Sequence, residues 1–201
     1  IFLARGPRIR LTAEQIREMQ RRTAPEILQT VPGLNVVQTG GTGGYTNVFM
    51  RGTNANHVKV LIDGIEVNDP ASANGTFDFG QLLAGDIERI EVLRGPQSGL
   101  YGSDAIGGVI SITTKKGEGP AKITAFAEGG SFGTLNSSIG VRGSHERVNY
   151  AFALQRQSLG NLPVTPAELT PPGVPVNNNS YNNLTFSSNV GAQLADMFGV
   201  N

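Results

Sequence analysis

The sequence predicts an α+β unit with a small mixed sheet and short helices, followed by a run of antiparallel β-strands. Charge is concentrated in the first part, since 12 of the 16 Lys and Arg and 11 of the 16 Asp and Glu precede residue 117. Capped helix patterns occur in the first part, whereas ten-residue alternating segments occur in the second. Gly and Pro at positions 117–120 end regular structure. We therefore expect one domain at 1–116 and another at 117–201.

The composition excludes several classes of protein. The 201 residues include no Cys, 27 Gly and a formal net charge of zero. Without cysteine there is no disulfide framework, thiolate metal site or cysteine nucleophile. The balanced charge supplies no bulk positive field, so we expect no nucleic-acid partner. No apolar run approaches the length of a membrane-spanning helix.

In the first part, capping residues locate two helices. Thr12 is expected to cap a helix that runs to Gln20, with Gln15 completing a capping box. A second helix is expected at 23–30, with Pro25 in its first turn. Strand patterns follow at residues 35–38, 47–51, 58–62, 87–93 and 108–114. Asp63-Gly64 after the third of these predicts a tight hairpin.

The second part alternates apolar and polar residues at 135–142, 148–157 and 184–194, and more weakly at 121–128. A tight turn is expected at 143–147 and a long loop at 159–180. Strands of this length joined by alternating short and long connections are typical of a membrane barrel. A soluble β-sandwich with one long loop produces half-polar strands as well. The pattern leaves both alternatives open.

The sequence contains no convincing motif for catalysis, phosphate binding or metal binding. Residues 129–133 match G-x-S-x-G, but Ser131 lies between two alternating strands, where a hairpin turn is expected and the helix of a hydrolase is missing. The glycine run at 40–45 lacks the spacing of a phosphate-binding loop. His57 with Asp63 or Glu66 is too sparse for a metal site. We therefore predict no enzyme, no cofactor and no metal.

Two long blocks resemble a known family. Residues 50–64, with R-G-T-N-A-N-H at 51–57, and residues 87–110, with Y-G-S-D-A-I-G-G at 101–108, resemble the plug domain of TonB-dependent outer-membrane receptors. Residues 32–36 and the glycines after them fit as well. The resemblance covers about residues 7–116, and the two quoted runs are most similar to those of the family's cobalamin transporters.

The resemblance implies a bacterial outer-membrane transporter whose plug fills a barrel of about 22 strands. The four alternating segments would then be the first strands of an incomplete transmembrane β-barrel, and the chain the front part of a longer protein. The implied partners are TonB, outer-membrane lipid and a scarce chelate substrate, either cobalamin or a ferric siderophore. No TonB box can be read in residues 1–10. The alternative is a soluble secreted β-rich module that binds a ligand such as a glycan.

The resemblance also implies site residues. Substrate is expected on two apical plug loops, 40–47 and 68–76. The residues expected to contact it are Gly41, Thr42, Gly43, Gly44, Tyr45, Thr46, Asn47, Asn68, Asp69, Ser72 and Asn74. A plug–barrel lock is expected at Arg51, Glu91 and Arg94. The calcium-binding loop of the cobalamin transporters has a poor counterpart in 159–180, where Glu168 is the one carboxylate, which puts calcium in doubt.

Overall fold

A computed structural model describes residues 8–71, 74–163, 165, 167–174 and 178–192 of the chain. The chain divides into two compact units, Ile1–Thr114 and Lys115–Asn201. The division falls two residues before the boundary expected from the sequence.

The first unit alternates short strands with short helices. Its elements in chain order are β1 (Arg8–Thr12), α1 (Ala13–Glu18), α2 (Ala24–Leu28), β2 (Leu34–Gln38), β3 (Thr46–Met50), a 3-10 turn (Ala55–His57), β4 (Val58–Ile62), β5 (Ile65–Glu66), β6 (Ile87–Arg94), α3 (Ser98–Tyr101) and β7 (Gly108–Thr114). The predicted strands and the first two helices are all present, with ends shifted by a few residues. β1 and α3 were not predicted.

Five of these strands form a mixed sheet in the order β1-β6-β7-β4-β5, and β2 and β3 form a separate antiparallel ribbon. β4 and β7 are parallel, whereas the other neighbouring strands are antiparallel. The predicted hairpin at Asp63-Gly64 joins β4 to β5, with φ of 51° and 85° at the two residues. The Asp63 carboxylate accepts hydrogen bonds from the Thr114 N–H at 2.9 Å and the Thr114 hydroxyl at 2.6 Å, which fastens this turn to the end of β7.

The capping residues form the helix ends as expected. The Thr12 N–H donates to Gln15 Oε1 at 3.0 Å, and the Gln15 N–H donates to Thr12 Oγ1 at 3.4 Å. This capping box satisfies two of the free donors that begin every helix. Ile16 then lies buried against the sheet, as the amphipathic pattern requires.

The core of the first unit lies between the sheet, the helices and the ribbon. Its fully buried aliphatic residues come from all three: Ile27, Leu28, Val48, Met50, Val58, Val60, Ile90, Val92, Ile110 and Ile112. Burial of each such side chain contributes about 1.5–3 kcal/mol relative to exposure. The ribbon is therefore part of the core, and the loop at its tip is carried by a rigid base.

The second unit is a four-stranded antiparallel sheet in the order β11-β10-β9-β8. Its strands are β8 (Lys122–Gly130), β9 (Thr134–His145), β10 (Val148–Pro163) and β11 (Asn178–Ala192). The bounds predicted for the long loop, 159–180, were wrong at both ends. The hydrogen-bonded ladder between β10 and β11 continues through the pairs Leu159↔Tyr181 and Leu162↔Asn179. Asn-rich segments can pair through their backbones, so a polar composition does not end a strand. The last predicted strand extends to Leu194, and residues 193 and 194 lie outside the described residues.

The two faces of this sheet have opposite chemistry. One face carries exposed apolar side chains: Ile123, Leu135, Ile139, Val148, Phe152, Leu154, Leu184, Phe186 and Val190. The other carries amides that are almost fully buried, namely Asn136, Gln155 and Asn183. The arrangement is the reverse of a water-facing sheet. None of the helices in the described ranges is long and apolar enough to span a membrane.

Candidate functional site

The two loops expected to contact substrate meet in the structure. The glycine loop, residues 39–45, joins β2 to β3, and the second loop, residues 67–76, follows β5. The Tyr45 hydroxyl and the Thr76 hydroxyl are 2.6 Å apart and share a hydrogen bond. Thr76 is buried, whereas 45% of Tyr45 is exposed. The bond therefore anchors an exposed aromatic ring to the base of the other loop.

The glycine loop is compact because its own backbone closes it. The Thr39 N–H donates to the Tyr45 carbonyl at 2.9 Å, and the Gly44 N–H donates to the Gly41 carbonyl at 3.0 Å. Gly44 lies so close to the Thr39 carbonyl that a Cβ would overlap it. Gly43 has a φ of 78°, a conformation that L residues rarely adopt. Glycine is therefore required at position 44 by the close approach of the Thr39 carbonyl, and at position 43 by the positive φ of the turn.

A segment after the second loop supports the glycine loop. We call residues 77–81 the brace. Asp78 Oδ1 accepts the Thr46 N–H at 2.8 Å and the Gly80 N–H at 2.9 Å. Gln81 Nε2 donates to the Gly43 carbonyl at 2.6 Å. The brace thus holds both the tip and the base of the glycine loop.

The second loop is fastened to the sheet by one amide. Asn68 Oδ1 accepts the Val60 N–H at 2.7 Å, and Asn68 Nδ2 donates to the Val58 and Gly75 carbonyls at 3.2 Å each. The carboxylate of Asp69 accepts the Ala71 N–H at 2.8 Å. These bonds extend the β4 edge into the loop, and residues 69–71 and 74 are exposed.

The predicted substrate-binding residues consequently differ in how accessible they are to a ligand. Thr42, Tyr45, Asp69 and Asn74 are exposed, and Gly41, Gly43 and Gly44 are partly exposed. Thr46 is fully buried and donates to the Gly44 carbonyl, and Asn68 is occupied by backbone groups, so these two serve the loop structure. Asn47 is half-buried, and its Oδ1 is buried without a hydrogen-bond partner in the described part of the chain. Ser72 lies outside the described residues.

Asp78 and Gln81 were missed by the sequence reasoning. One local signal was available, because Asp followed two residues later by Gly is a pattern in which the carboxylate accepts a backbone N–H and forms an Asx turn. The contacts to Thr46 and Gly43 span more than 30 residues of sequence. No local pattern predicts contacts of that kind.

The two arginines of the expected lock each lie against a glycine turn. Arg94 Nη1 donates to the Pro32 carbonyl at 2.8 Å and lies against Gly33. The Arg51 N–H donates to the Gly33 carbonyl at 3.2 Å, and Arg51 Nη1 lies over Gly95. Arg51 also adopts a φ of 53°, which is uncommon for a residue with a side chain.

Glu91, the third residue of the expected lock, has partners within its own unit. It pairs with Arg8 and lies 3.8 Å from Arg10 and 3.9 Å from Arg89. Its side chain is 15% exposed. The ion pairs with Arg8 and Arg10 fasten β1 to β6. A lock between plug and barrel through Arg51, Glu91 and Arg94 stays a prediction.

The G-x-S-x-G sequence forms the connection between β8 and β9, as the hairpin interpretation expects. Ser131 begins a 3-10 turn in which Phe132 has a φ of 57°, and no α-helix follows it. In the described ranges no three His, Asp or Glu side chains lie together as a metal site would require.

A family model described as TonB-dependent Receptor Plug Domain matches residues 4–109, which is more than half of the chain. The match includes the whole glycine loop, second loop and brace.

Solved structures similar to the chain are, by their names, receptors for siderophores or their ferric complexes. The ferric yersiniabactin uptake receptor FyuA from Yersinia pestis aligns over 92% of this chain and 28% of its own, with 18% identity and a TM-score of 0.71. The ferric enterobactin receptor PfeA from Pseudomonas aeruginosa aligns over 96% and 32%, with 22% identity and a TM-score of 0.70. The siderophore receptor PirA from Acinetobacter baumannii aligns over 79% and 26%, with 26% identity and a TM-score of 0.58. The chain thus spans about a third or less of the length of these receptors.

Proposed function

The chain belongs to the TonB-dependent receptor plug domain family, and from that membership we propose that its protein is an outer-membrane receptor that imports a ferric siderophore. Residues 1–116 act as the plug and residues 117–201 as the first strands of the surrounding barrel. The transport receptors in the comparison are not enzymes, which supports the expectation that this protein is not one. No bond is made or broken in this activity.

The observation that most supports a membrane location is the exposed apolar face of β8–β11. Leu184, Phe186 and Val190 on that face are each at least 63% exposed, while Asn183, next to Leu184 but on the opposite face, is 9% exposed. Water penalises such a surface, whereas the hydrocarbon of a bilayer does not. A soluble β-sandwich would bury the apolar side chains between its sheets. The pattern therefore favours lipid over the alternative of a secreted glycan-binding module.

In the plug, the proposed role of the braced loops is to hold the substrate. Tyr45, Thr42 and the backbone groups of the glycine loop offer an aromatic face and neutral hydrogen-bonding groups. Substrate binding then alters the contacts of the plug, and TonB, energised from the inner membrane, opens a path through the barrel. The arginines Arg51 and Arg94 would hold the plug through carboxylates of the barrel wall until that step.

Cobalamin is a second candidate substrate because of two sequence runs. The runs at residues 51–57 and 101–108 are similar to those of cobalamin transporters, a closeness that the comparisons do not confirm. In the structure, the first run forms the turn from β3 into β4, where the Thr53 hydroxyl donates to the Met50 carbonyl at 2.8 Å. It therefore serves plug folding, and we rank ferric siderophores first.

Growth on a supplied iron chelate tests the proposal. The full-length gene is expressed in a bacterial strain that lacks its own siderophore receptors, in medium where a ferric siderophore is the sole iron source. A panel of siderophores is supplied, and cobalamin-dependent growth is measured in parallel. We expect growth on at least one ferric siderophore, dependent on both the gene and TonB. The matched control is the same strain with TonB deleted.

Growth on no ferric siderophore would reject the proposed substrate class. Growth on cobalamin alone would replace it with the second candidate. Recovery of the protein from the soluble fraction, with no portion in the outer membrane, would reject the membrane location and favour a secreted module.

A further inference from the structure

The substrate-facing loops and their brace carry charge of one sign. Residues 38–50 and 67–81 contain no Lys, Arg or His, and their two charged side chains are the carboxylates of Asp69 and Asp78. Asp69 lies on the exposed part of the second loop, whereas Asp78 is half-buried beneath the glycine loop. A bound anion would meet negative charge from both positions. Like-charge juxtaposition of this kind is an established means of rejecting a wrong partner.

Hydrogen bonds from backbone N–H groups hold both carboxylates. Asp78 accepts two of them at 2.8 and 2.9 Å, Asp69 accepts the Ala71 N–H at 2.8 Å, and Gln81 fastens the loop tip at 2.6 Å. The Thr76 hydroxyl joins the second loop to Tyr45. Because both loops are tied to one another, Asp78 beneath the glycine loop cannot easily move away from an incoming ligand. The charge preference is therefore built into the site before binding.

The exposed ring of Tyr45 agrees with that preference. Its hydroxyl is bonded to Thr76, which leaves the ring itself as the exposed part of the side chain. An aromatic face attracts cations and packs against apolar groups. Thr42 on the same loop and Asn74 on the second loop are exposed and uncharged, and both can form hydrogen bonds. The whole surface thus suits a ligand with no net negative charge.

Resting on the import function proposed above, we infer that this site takes a ferric chelate of zero or positive charge, of the hydroxamate type, and discriminates against triply anionic catecholate chelates. A hydroxamate binds iron through two oxygens with one negative charge, so three of them neutralise the ferric ion. A catecholate brings two negative charges, so three of them leave a complex with three excess negative charges. Asp69, whose carboxylate lies at the surface, is the residue that discriminates between the two types of chelate by their charge.

The test is competitive uptake by the full-length receptor of three ferric chelates: a neutral tris-hydroxamate, a tris-hydroxamate with a free ammonium group, and ferric enterobactin. Three variants are compared with the unmodified protein. Asp69→Asn removes the charge but keeps an acceptor for the Ala71 N–H. Asp69→Lys reverses the charge. Glu18→Lys makes the same net-charge change on α1, which packs at the β1–β6 edge, at the far side of the sheet from β5.

We expect the unmodified receptor to take up both hydroxamate chelates in preference to ferric enterobactin. Asp69→Lys should lower uptake of the ammonium-bearing chelate by about tenfold and narrow the discrimination against ferric enterobactin, as expected for local charge reversal. Uptake of the neutral chelate should change little, which shows that the variant is folded. Asp69→Asn should give an intermediate result, and Glu18→Lys should match the unmodified protein.

Preference of the unmodified receptor for ferric enterobactin would overturn the inference and leave the import function intact. Equal effects of Asp69→Lys and Glu18→Lys would overturn the assignment to Asp69, because net charge alone would then explain them. Uptake of no ferric chelate would reject the import function, and the inference would fall with it.

Discussion

A single carboxylate oxygen holds the base of the glycine loop. Asp78 Oδ1 accepts hydrogen bonds from the backbone N–H groups of Thr46, at the start of β3, and of Gly80 in the brace. Buried N–H groups that lose their acceptor cost about 1–3 kcal/mol each. The geometry of the loop thus depends on a half-buried residue beneath it.

Replacing Asp78 should consequently weaken substrate binding indirectly, by altering the glycine loop. Asp78→Ala leaves both N–H groups without an acceptor, and we expect the dissociation constant of the preferred ferric chelate to rise about tenfold, or about 1.4 kcal/mol. Asp78→Asn retains an acceptor oxygen and should preserve most of the affinity. Equilibrium binding to the purified full-length receptor measures both. If both variants bind as the unmodified protein does, the brace does not position the loop.

Glycine at position 44 is required by space. A Cβ there would overlap the Thr39 carbonyl, so Gly44→Ala should distort the loop at a cost of about 1–3 kcal/mol. Gly99 in α3 is the matched control, because no atom outside its own helix backbone and its two chain neighbours lies within 4 Å of its Cβ position. Protease sensitivity of the plug and chelate affinity in the full-length receptor distinguish them. We expect Gly44→Ala to raise the protease sensitivity and lower the chelate affinity, and Gly99→Ala to change neither. Equal behaviour of the two variants would contradict the packing described.

Only part of the site could be predicted from the sequence. The glycine loop and the second loop were located because their residue types and their resemblance to known plug domains are local properties of the chain. Asp78 and Gln81 were missed because their partners, Thr46 and Gly43, lie more than 30 residues away and are reached through the fold. The role of Asn68 was likewise hidden, since its amide serves the β4 backbone.

At the scale of elements, period-two alternation located the strands of the second unit. Such alternation is the direct consequence of successive side chains on opposite faces of a strand. It did not locate strand ends beyond residue 159, where Asn residues pair through the backbone. β1 was missed as well, because five residues directly before a helix cap are too few to establish a period.

The exposed apolar face of β8–β11 can be tested with a charged residue. Ile139 on β9 is 56% exposed, and Ile139→Lys should destabilise the barrel by about 2–4 kcal/mol if the residue faces the bilayer interior. Ile65 on β5 is 71% exposed in the first unit, so Ile65→Lys is the matched control and should be neutral. Urea unfolding of the full-length protein in lipid vesicles measures the difference. Equal tolerance of the two substitutions would indicate that Ile139 faces water.

At the scale of the whole molecule, the chain contains two units that differ in which side chains they bury and which they expose. The first buries its aliphatic residues in a core between sheet, helices and ribbon. The second exposes them and buries amides. That contrast underlies the proposal of a plug linked to lipid-facing strands. The fold class was predictable because each unit has its own sequence pattern, whereas the substrate depends on contacts that no pattern encodes.

TonB-driven import of a ferric siderophore can be measured as iron transport. Cells that carry the full-length receptor are given each ferric siderophore of the growth panel with radioactive iron, and both surface-bound and internalised iron are measured in matched strains with and without TonB. For at least one siderophore we predict equal binding in the two strains and accumulation inside the cell only where TonB is present. Equal accumulation of iron in both strains, or binding of none of the siderophores in either, would show that the protein is not such an importer.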